Sequence, residues 1–159
     1  MTLTKGWCAV AAASFVALLQ VPVASAASNA VYDATCALCH QSGGVGLKGQ
    51  FPRLAGRVDR MAADPEARVY LLETVLFGVS GKIEVDGASI VGVMPSFASL
   101  SDDELASVLN YLIRLGGSGS RKVKAITPSE IRNGRAGPHR TTSQVAANRA
   151  ALASAGRIP

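Results

Sequence analysis

The feature that most constrains this 159-residue chain is the pentapeptide Cys36-Ala37-Leu38-Cys39-His40. Its C-x-x-C-H spacing is the attachment signature of c-type haem. Two thiols three residues apart can each form a thioether with one vinyl group of the porphyrin, and the adjacent imidazole can then reach the iron from the same side. The motif predicts one covalently bound haem c, and it limits the chain to an electron carrier or a haem enzyme.

Two other uses of paired cysteines need to be considered. A structural zinc site requires about four ligands, usually from two such clusters, whereas the chain contains three cysteines and two histidines in all. A thioredoxin-like dithiol lies at the start of a helix that follows a strand, and nothing before Cys36 has the alternation of a strand. The surrounding sequence therefore favours haem attachment.

The first 26 residues have the pattern of a secretory signal peptide. Lys5 provides a charged start, residues 7–19 form an apolar run, and Ala24-Ser25-Ala26 is a small-x-small cleavage site. An uncleaved membrane anchor is the alternative, but the apolar run is short for a membrane span. We expect export to the periplasm with cleavage near Ala26, and membrane association only through partners.

Charge divides the rest of the chain into two parts. Residues 27–115 contain seven lysines and arginines and ten acids, whereas residues 116–159 contain eight lysines and arginines and one acid. A glycine- and serine-rich stretch, residues 116–120, has the composition of a flexible linker. The sequence therefore predicts a signal peptide over residues 1–26, a globular domain over residues 27–115 and a basic, flexible tail over residues 116–159.

The tail segment has two possible roles. It is expected either to be a disordered extension with a short helix from Pro128, or to act as a docking arm that steers the protein to an acidic partner. A basic strip can also bind anionic lipid or nucleic acid, but this one lacks interleaved aromatic residues and belongs to a chain that we expect to be exported, which rarely meets nucleic acid. We therefore expect no nucleic-acid partner.

Helix and hairpin signals are clear in the globular part. Asp64-Pro65-Glu66 combines an N-cap, a proline at the first helical position and an acid in the first turn. Ser101-Asp102-Asp103-Glu104 is a capping box, and apolar residues at helical spacing follow it. Residues 83–85 alternate in polarity and Asp86-Gly87 is a turn signal, which together predict a short hairpin over residues 80–93.

The iron of a bound haem needs a second axial ligand or an open face. The candidates beyond the signal peptide are Met61, Met94 and His139. Met94 precedes Pro95 just before the last predicted helix of the globular part, and a proline there would stiffen the loop that holds the sulfur. We favour Met94. A filled sixth position predicts outer-sphere electron transfer, whereas a vacant or labile one would allow a haem enzyme or a gas sensor.

The chain resembles the class I c-type cytochromes over about residues 29–115. The motifs that carry the resemblance share their order and spacing with that family: CALCH (residues 36–40), FPRLAG (51–56), VMPSF (93–97) and LSDDEL (100–105). The resemblance implies an all-α fold of three to four helices around one haem, with a short hairpin before the methionine loop and a flexible C-terminal tail.

The same resemblance assigns roles to individual residues. It implies that Cys36 and Cys39 form the thioether links to the haem. It implies that His40 and Met94 are the axial ligands of the iron. Pro52 matches the proline whose carbonyl accepts the N–H of the proximal histidine, a contact that fixes the orientation of the ring.

Four further residues have weaker assignments. Haem carries propionates that need hydrogen-bond donors, and Arg53 and Arg57 are the nearest candidates in the sequence, although either could be an ordinary solvated arginine. Tyr32 and Tyr111 match the aromatic positions where the first and last helices of the family cross. We expect these two tyrosines to serve core packing.

The run of residues 81–87 before Met94 is similar to one subset of the family. Members of this subset are small cytochromes that act as electron-accepting partners or subunits of periplasmic dehydrogenases for alcohols, aldehydes, sulfite and similar substrates. The similarity implies a monohaem electron carrier that has no catalysis of its own. It would accept electrons from a dehydrogenase and pass them to a downstream cytochrome or oxidase of the respiratory chain. The alternative is a haem enzyme or gas sensor with a labile sixth ligand.

Overall fold

A computed structural model of the chain describes residues 30–117 and 122–159. These parts are mostly helical, with one two-stranded antiparallel sheet. In chain order the elements are α1 (residues 30–35), α2 (Ala37–His40), a 3-10 turn (Ser42–Gly44), α3 (Val58–Ala63), α4 (Pro65–Phe77), β1 (Val79–Val85), β2 (Ala88–Met94), α5 (Asp102–Arg114), α6 (Pro128–Ala136) and α7 (Thr142–Ser154). The predicted signal peptide lies outside the described residues. No helix within the described ranges is long and apolar enough to cross a bilayer.

Helices α4 and α5 begin where their caps predict. Asp64 accepts hydrogen bonds from the N–H groups of Glu66 and Ala67, both at 3.0 Å, at the start of α4. Ser101 and Glu104 form a reciprocal capping box at the start of α5. Each cap satisfies main-chain donors that the helix leaves unpaired. Both predicted helix starts are confirmed, and the buried faces of α4 and α5 form much of the core.

Helix α1 lies against α5 through two tyrosine rings. The ring centroids of Tyr32 and Tyr111 are 5.1 Å apart and the ring planes are tilted by 51°, an arrangement that aromatic pairs prefer. Tyr32 is fully buried, and its hydroxyl donates a 2.8 Å hydrogen bond to the main-chain oxygen of Gln41. The expected packing role of this pair is confirmed, and the contact fixes the chain just ahead of the cysteine motif.

Strands β1 and β2 form the predicted hairpin. Their pairing begins with Val79 opposite Met94 and closes at a two-residue turn. The turn residues Asp86 and Gly87 have φ angles of 51° and 73°, as a type I′ turn requires and as the Asp-Gly pair favours. The hairpin is longer than predicted, so Met94 ends strand β2 and does not lie in a free loop.

The expectation of a flexible C-terminal tail is wrong for residues 122–159, while residues 118–120 of the predicted linker lie outside the described residues. The segment forms α6 and α7, which pack on α4, α5 and β1. Five of its apolar side chains are buried in the common core: Ile126, Ile131, Val145, Leu152 and Ile158. The fold therefore has more helices than the expected three to four. The helix predicted from Pro128 is present.

Ion pairs join the acidic globular part to the basic tail segment. Most of them use a tail arginine and a carboxylate of α4 or α5 or of the turn before them. These arginine–carboxylate contacts are Arg132–Asp102, Arg135–Asp102, Arg140–Glu73, Arg157–Asp64 and Arg157–Glu66. One pair has the opposite direction, because Arg68 of α4 donates to both carboxylate oxygens of Glu130 at 2.8 and 3.1 Å. Charge complementarity therefore supports the packing of the two parts.

The Arg68–Glu130 pair makes the stability of the fold dependent on pH. Hydrogen bonding from Arg68 lowers the pKa of Glu130 to about 2. A carboxylate whose pKa is depressed in the folded state stabilises the fold above its unfolded pKa of about 4.3, and this contribution is lost as the pH falls towards 2. Acid should therefore weaken the attachment of α6 to α4 as the pH falls towards 2.

We expect Glu130→Gln to lower the free energy of unfolding by about 1–2 kcal/mol at neutral pH, and by much less near pH 2. Urea titrations at several pH values measure this. Glu84→Gln is a matched control, because Glu84 pairs with Lys82 on an exposed strand face. A Glu130→Gln protein that keeps the wild-type pH dependence would contradict the assignment.

Candidate functional site

The two cysteines and the histidine of the CALCH motif lie on one helical turn. The Cys36 N–H donates to the Tyr32 oxygen at 2.8 Å, and the His40 N–H donates to the Cys36 oxygen at 2.9 Å. Residues three and four apart on a helix project from the same face. The thiols of Cys36 and Cys39 are therefore displayed together with the imidazole, and both cysteines are free.

His40 is buried, with 7% of its surface exposed. Its Nδ1 lies 2.8 Å from the main-chain oxygen of Pro52. A carbonyl oxygen can only accept, so Nδ1 donates its proton to this bond and Nε2 carries the free lone pair. Burial lowers the pKa of His40, and the hydrogen bond to Pro52 opposes this in part. The contact implied by the resemblance is present, and it leaves a neutral imidazole oriented to bind a metal through Nε2.

The loop that carries Pro52 approaches His40 through Gly46. The Gly46 N–H donates to the His40 oxygen at 2.9 Å. A Cβ at Gly46 would lie 2.6 Å from the Arg53 nitrogen and 2.7 Å from the Phe51 oxygen, and the φ angle of Gly46 is +68°. Both the space and the φ angle select glycine at this position. Gly46 therefore determines how closely Pro52 is presented to the His40 ring.

The Cys36 thiol lacks the features of a redox-active dithiol. Burial raises the pKa of Cys36, against a smaller opposing effect from Thr35, whose Oγ1 lies 3.3 Å from the sulfur. Thioredoxin-like cysteines depend on a lowered pKa. In addition, α2 follows helix α1 and not a strand. The dithiol interpretation therefore has no support in this geometry.

Met94 is partly buried at the end of β2, and its main chain is closely packed. A Cβ at Gly78, the residue directly after α4, would lie 2.5 Å from the Met94 oxygen. Just beyond, Ser96 Oγ donates to the Leu76 oxygen at 2.5 Å. The segment around Met94 is therefore held against the C-terminal end of α4.

The two other candidate ligands have structural neighbours that account for them. Met61 lies in α3 and is buried in the core. The ring of His139, which follows α6, packs on Phe77 with ring centroids 5.0 Å apart. Met94 remains the favoured sixth ligand.

Arg53 and Arg57, the predicted propionate donors, converge on the hairpin turn. Arg53 donates to both carboxylate oxygens of Asp86 at 2.9 and 3.1 Å, and Arg57 donates to one of them at 2.8 Å. Hydrogen bonding from Arg53 lowers the pKa of Asp86. Arg57 is buried and also donates to the main-chain oxygen of Pro159. Sequence reasoning found Asp86 only as a turn residue, and no local signal connects it to either arginine.

A cavity of about 210 Å³ opens beside this cluster. It lies between the loop after the CALCH motif and the hairpin, and its lining includes Phe51, Pro52, Arg53, Asp86 and Ile90. Arg53 therefore faces the cavity with a side chain that is 40% exposed. The side chain of Arg57 is instead occupied by Asp86 and Pro159, so Arg53 is the better placed of the two predicted donors.

The residues present fit a covalently attached haem. Two free thiols lie one turn from an imidazole whose Nε2 has no hydrogen-bond partner among the described residues. Large apolar side chains are exposed in the motif and in the loop that follows it: Leu38, Val45 and Leu47. Leu38 is 85% exposed. Apolar residues left open together beside a site indicate a surface that a flat apolar group would cover.

The fold and the site define a c-type cytochrome domain. Residues 24–112 match the family described as cytochrome c oxidase, cbb3-type, subunit III. Because this match covers more than half of the chain, the chain belongs to this family of c-type cytochromes. The resemblance to c-type cytochromes is thereby confirmed, and the cofactor is covalently bound haem c. The chain is an electron carrier of the cytochrome c type.

Named relatives support the same assignment. Cytochrome c-552 of Thermus thermophilus is 43% identical over 115 residues, which cover 72% of this chain and 76% of the relative. The fructose dehydrogenase cytochrome subunit of Gluconobacter japonicus is 31% identical over 112 residues, which cover 66% of this chain and 22% of that subunit. The cytochrome c subunit of the quinone alcohol dehydrogenase of Gluconobacter oxydans is 34% identical over 103 residues, 64% of this chain and 20% of that subunit.

Proposed function

We infer that this protein is a periplasmic monohaem cytochrome that carries single electrons, with His40 and Met94 as axial ligands and Cys36 and Cys39 as the thioether links. The observation that supports this best is the arrangement of His40. Its Nδ1 is fixed by the Pro52 oxygen at 2.8 Å, and its Nε2 is left for a metal on the same helical turn as two free thiols.

In this function the chain attaches the haem, orients the His40 ring and excludes substrate and oxygen from the iron. The cofactor itself supplies a one-electron couple. The Pro52 oxygen holds the imidazole plane and increases its basicity as a ligand. A methionine thioether is a soft ligand that favours ferrous over ferric iron, so the chain selects a relatively high reduction potential. His40 and Met94 together would leave the iron no free site for substrate or oxygen, so the bound haem would supply electron transfer alone.

The proposed electron donor is a periplasmic dehydrogenase. Two relatives are named as cytochrome subunits of fructose and alcohol dehydrogenases, and the signal-peptide pattern of the first 26 residues fits an exported protein. This chain spans about a fifth of each of those subunits. In our proposal it accepts electrons from such an enzyme, either as a partner or as a subunit. It then passes them to a downstream cytochrome or oxidase of the respiratory chain.

Acid–acetone extraction tests the attachment. We expect the colour of the purified protein to stay with the polypeptide, because thioether bonds survive acid. In a Cys36→Ala/Cys39→Ala double variant, haem held through His40 should leave with the solvent. Colour that leaves the wild-type protein would refute covalent attachment through this motif.

Carbon monoxide separates the electron carrier from its alternative. A ferrous protein with His40 and Met94 both bound should react with carbon monoxide slowly, because Met94 must leave the iron first. A haem enzyme or gas sensor has a vacant or labile sixth position and should bind the gas at once. Rapid binding by the freshly reduced wild-type protein would favour that alternative.

A further inference from the structure

Helix α7 holds strand β1 at the end of the hairpin where Met94 lies. Ser80 Oγ of β1 is 2.7 Å from Thr142 Oγ1, at the first residue of α7. Ser80 follows Val79, which pairs with Met94 across the hairpin. The contact with α7 is therefore one residue away from the strand position that faces Met94.

Arg149 holds the same strand closer to the turn. Its side chain is buried, with 7% of the residue exposed, and Nη2 donates to the main-chain oxygen of Glu84 at 3.0 Å. Within residues 30–117 and 122–159, this is the single hydrogen bond that the Arg149 side chain makes. Burying a cation beside a single neutral partner is unfavourable, because the charge loses its contact with water. Packing alone therefore does not explain why Arg149 lies here. The effect of this placement is to tie α7 to β1.

The last residues of the segment reach the turn of the hairpin. Arg57 donates to Asp86 Oδ1 at 2.8 Å and also to the main-chain oxygen of Pro159. The adjacent Ile158 is buried in the core. Residues 142–159 therefore reach the hairpin at three places. They contact β1 directly near its start and near its end, and they reach the turn through Arg57.

We propose that Thr142 and Arg149 are positioning residues for the sixth ligand, because they tie β1 to α7 and thereby hold Met94 of the paired strand at the iron. This rests on the proposed function, in which Met94 is that ligand. In this proposal Met94 leaves the iron as its end of the hairpin moves away from Gly78, which packs against its main chain on the other side. Contacts that are made only while the hairpin holds Met94 at the iron stabilise the methionine-bound form by their own free energy. The C-terminal segment thus sets how readily the iron opens to other ligands.

Imidazole titration of the ferric holoprotein tests the proposal. Imidazole can bind only to the form in which Met94 has left the iron, so its apparent Kd falls by the factor by which that form becomes more populated. We expect Arg149→Met to lower the Kd about tenfold, as loss of a charged hydrogen bond implies, and Ser80→Ala to lower it about fivefold. Arg149→Lys keeps a donor and should lie between wild type and Arg149→Met. Loss of the weak ferric absorbance band of methionine–iron ligation reports the displacement.

Two controls separate positioning from general stability. Arg132→Gln removes a tail arginine that pairs with Asp102 and, among the described residues, makes no hydrogen bond to the hairpin. Ile131→Val trims a fully buried side chain of α6, a helix that packs on α4 and α5. Both should leave the imidazole Kd unchanged, although Ile131→Val lowers the free energy of unfolding. Arg149→Met loses the hydrogen bond to Glu84 but also the cost of burying a charge, so a fall in Kd larger than its fall in the free energy of unfolding separates positioning from stability.

An unchanged imidazole Kd in Arg149→Met and Ser80→Ala would overturn the proposal, and so would an equal fall in Ile131→Val. If Arg149→Met fails to fold, Ser80→Ala and Thr142→Val remain informative. These two remove the same hydrogen bond, so their double variant should behave like either single one, and additive effects would count against the contact. A wild-type protein without the methionine band would instead refute Met94 as the ligand, which distinguishes failure of the proposed function from failure of this inference.

Discussion

Met94→Ala is expected to abolish methionine–iron ligation and to lower the reduction potential by a large share of the ~0.8 V range that axial ligands span. The physical reason is the loss of a soft thioether that favours ferrous iron. The ferric absorbance band of methionine ligation should disappear, and the ferrous protein should bind carbon monoxide rapidly. Spectroscopy and potentiometric titration measure the two effects independently.

Met61→Leu is the matched control for this prediction. Met61 is buried in the core, so replacement by alanine would leave a cavity, whereas leucine keeps the volume at a cost of less than about 1.5 kcal/mol. Spectrum and potential should stay at their wild-type values. If Met61→Leu removes the ligand band and Met94→Ala keeps it, the wrong sulfur has been assigned.

Gly46→Ala is expected to lower the free energy of unfolding by about 3 kcal/mol and to disturb the orientation of His40. Its Cβ would lie 2.6–2.7 Å from the main chain of residues 51–53, so the loop that carries Pro52 must move. The strain of a positive φ adds to this displacement. Guanidinium unfolding of the holoprotein measures the loss, and the position of the ferric haem bands reports the histidine.

Gly49→Ala is the control that separates the close contact of Gly46 with residues 51–53 from backbone strain alone. Gly49 also has a positive φ, +78°, but a Cβ there would meet nothing within 4 Å. We expect a loss of about 1 kcal/mol from backbone strain and no change in the spectrum. Equal losses in Gly46→Ala and Gly49→Ala would show that the approach to Pro52 is not critical.

Local signals account for the parts of the fold and site that were predicted correctly. The caps at Asp64 and Ser101 specify where α4 and α5 begin, because a side chain there satisfies main-chain donors within three residues. Asp86-Gly87 specifies the hairpin turn for an equally local reason, the positive φ of both residues. The CALCH motif places its three reactive groups within five consecutive positions. Each of these features is decided by neighbours in the chain.

Contacts between distant segments could not be predicted in this way. The tail segment looked unstructured because its few large apolar residues are separated by alanines, glycines and basic side chains. Ile131 and Val145 become buried only against α4, α5 and β1. Nothing near Arg57 in the sequence indicates that it will bind Asp86 and Pro159. These interactions depend on tertiary packing, which a single sequence does not display.

The pairing of core acids with tail arginines changes the electrostatic field that this molecule presents to another protein at a distance. In the sequence, positive and negative charges are separated, because residues 27–115 are acidic and residues 116–159 are strongly basic. As a folded structure, Asp102, Glu73 and Glu66 each lie within 3.3 Å of an arginine of the other part. Alternating charges at such spacing cancel beyond the Debye length of about 8 Å at physiological salt. We therefore expect an approaching protein to meet alternating, largely paired charges on this surface, so that contact and shape contribute more to its orientation than an unpaired basic arm would.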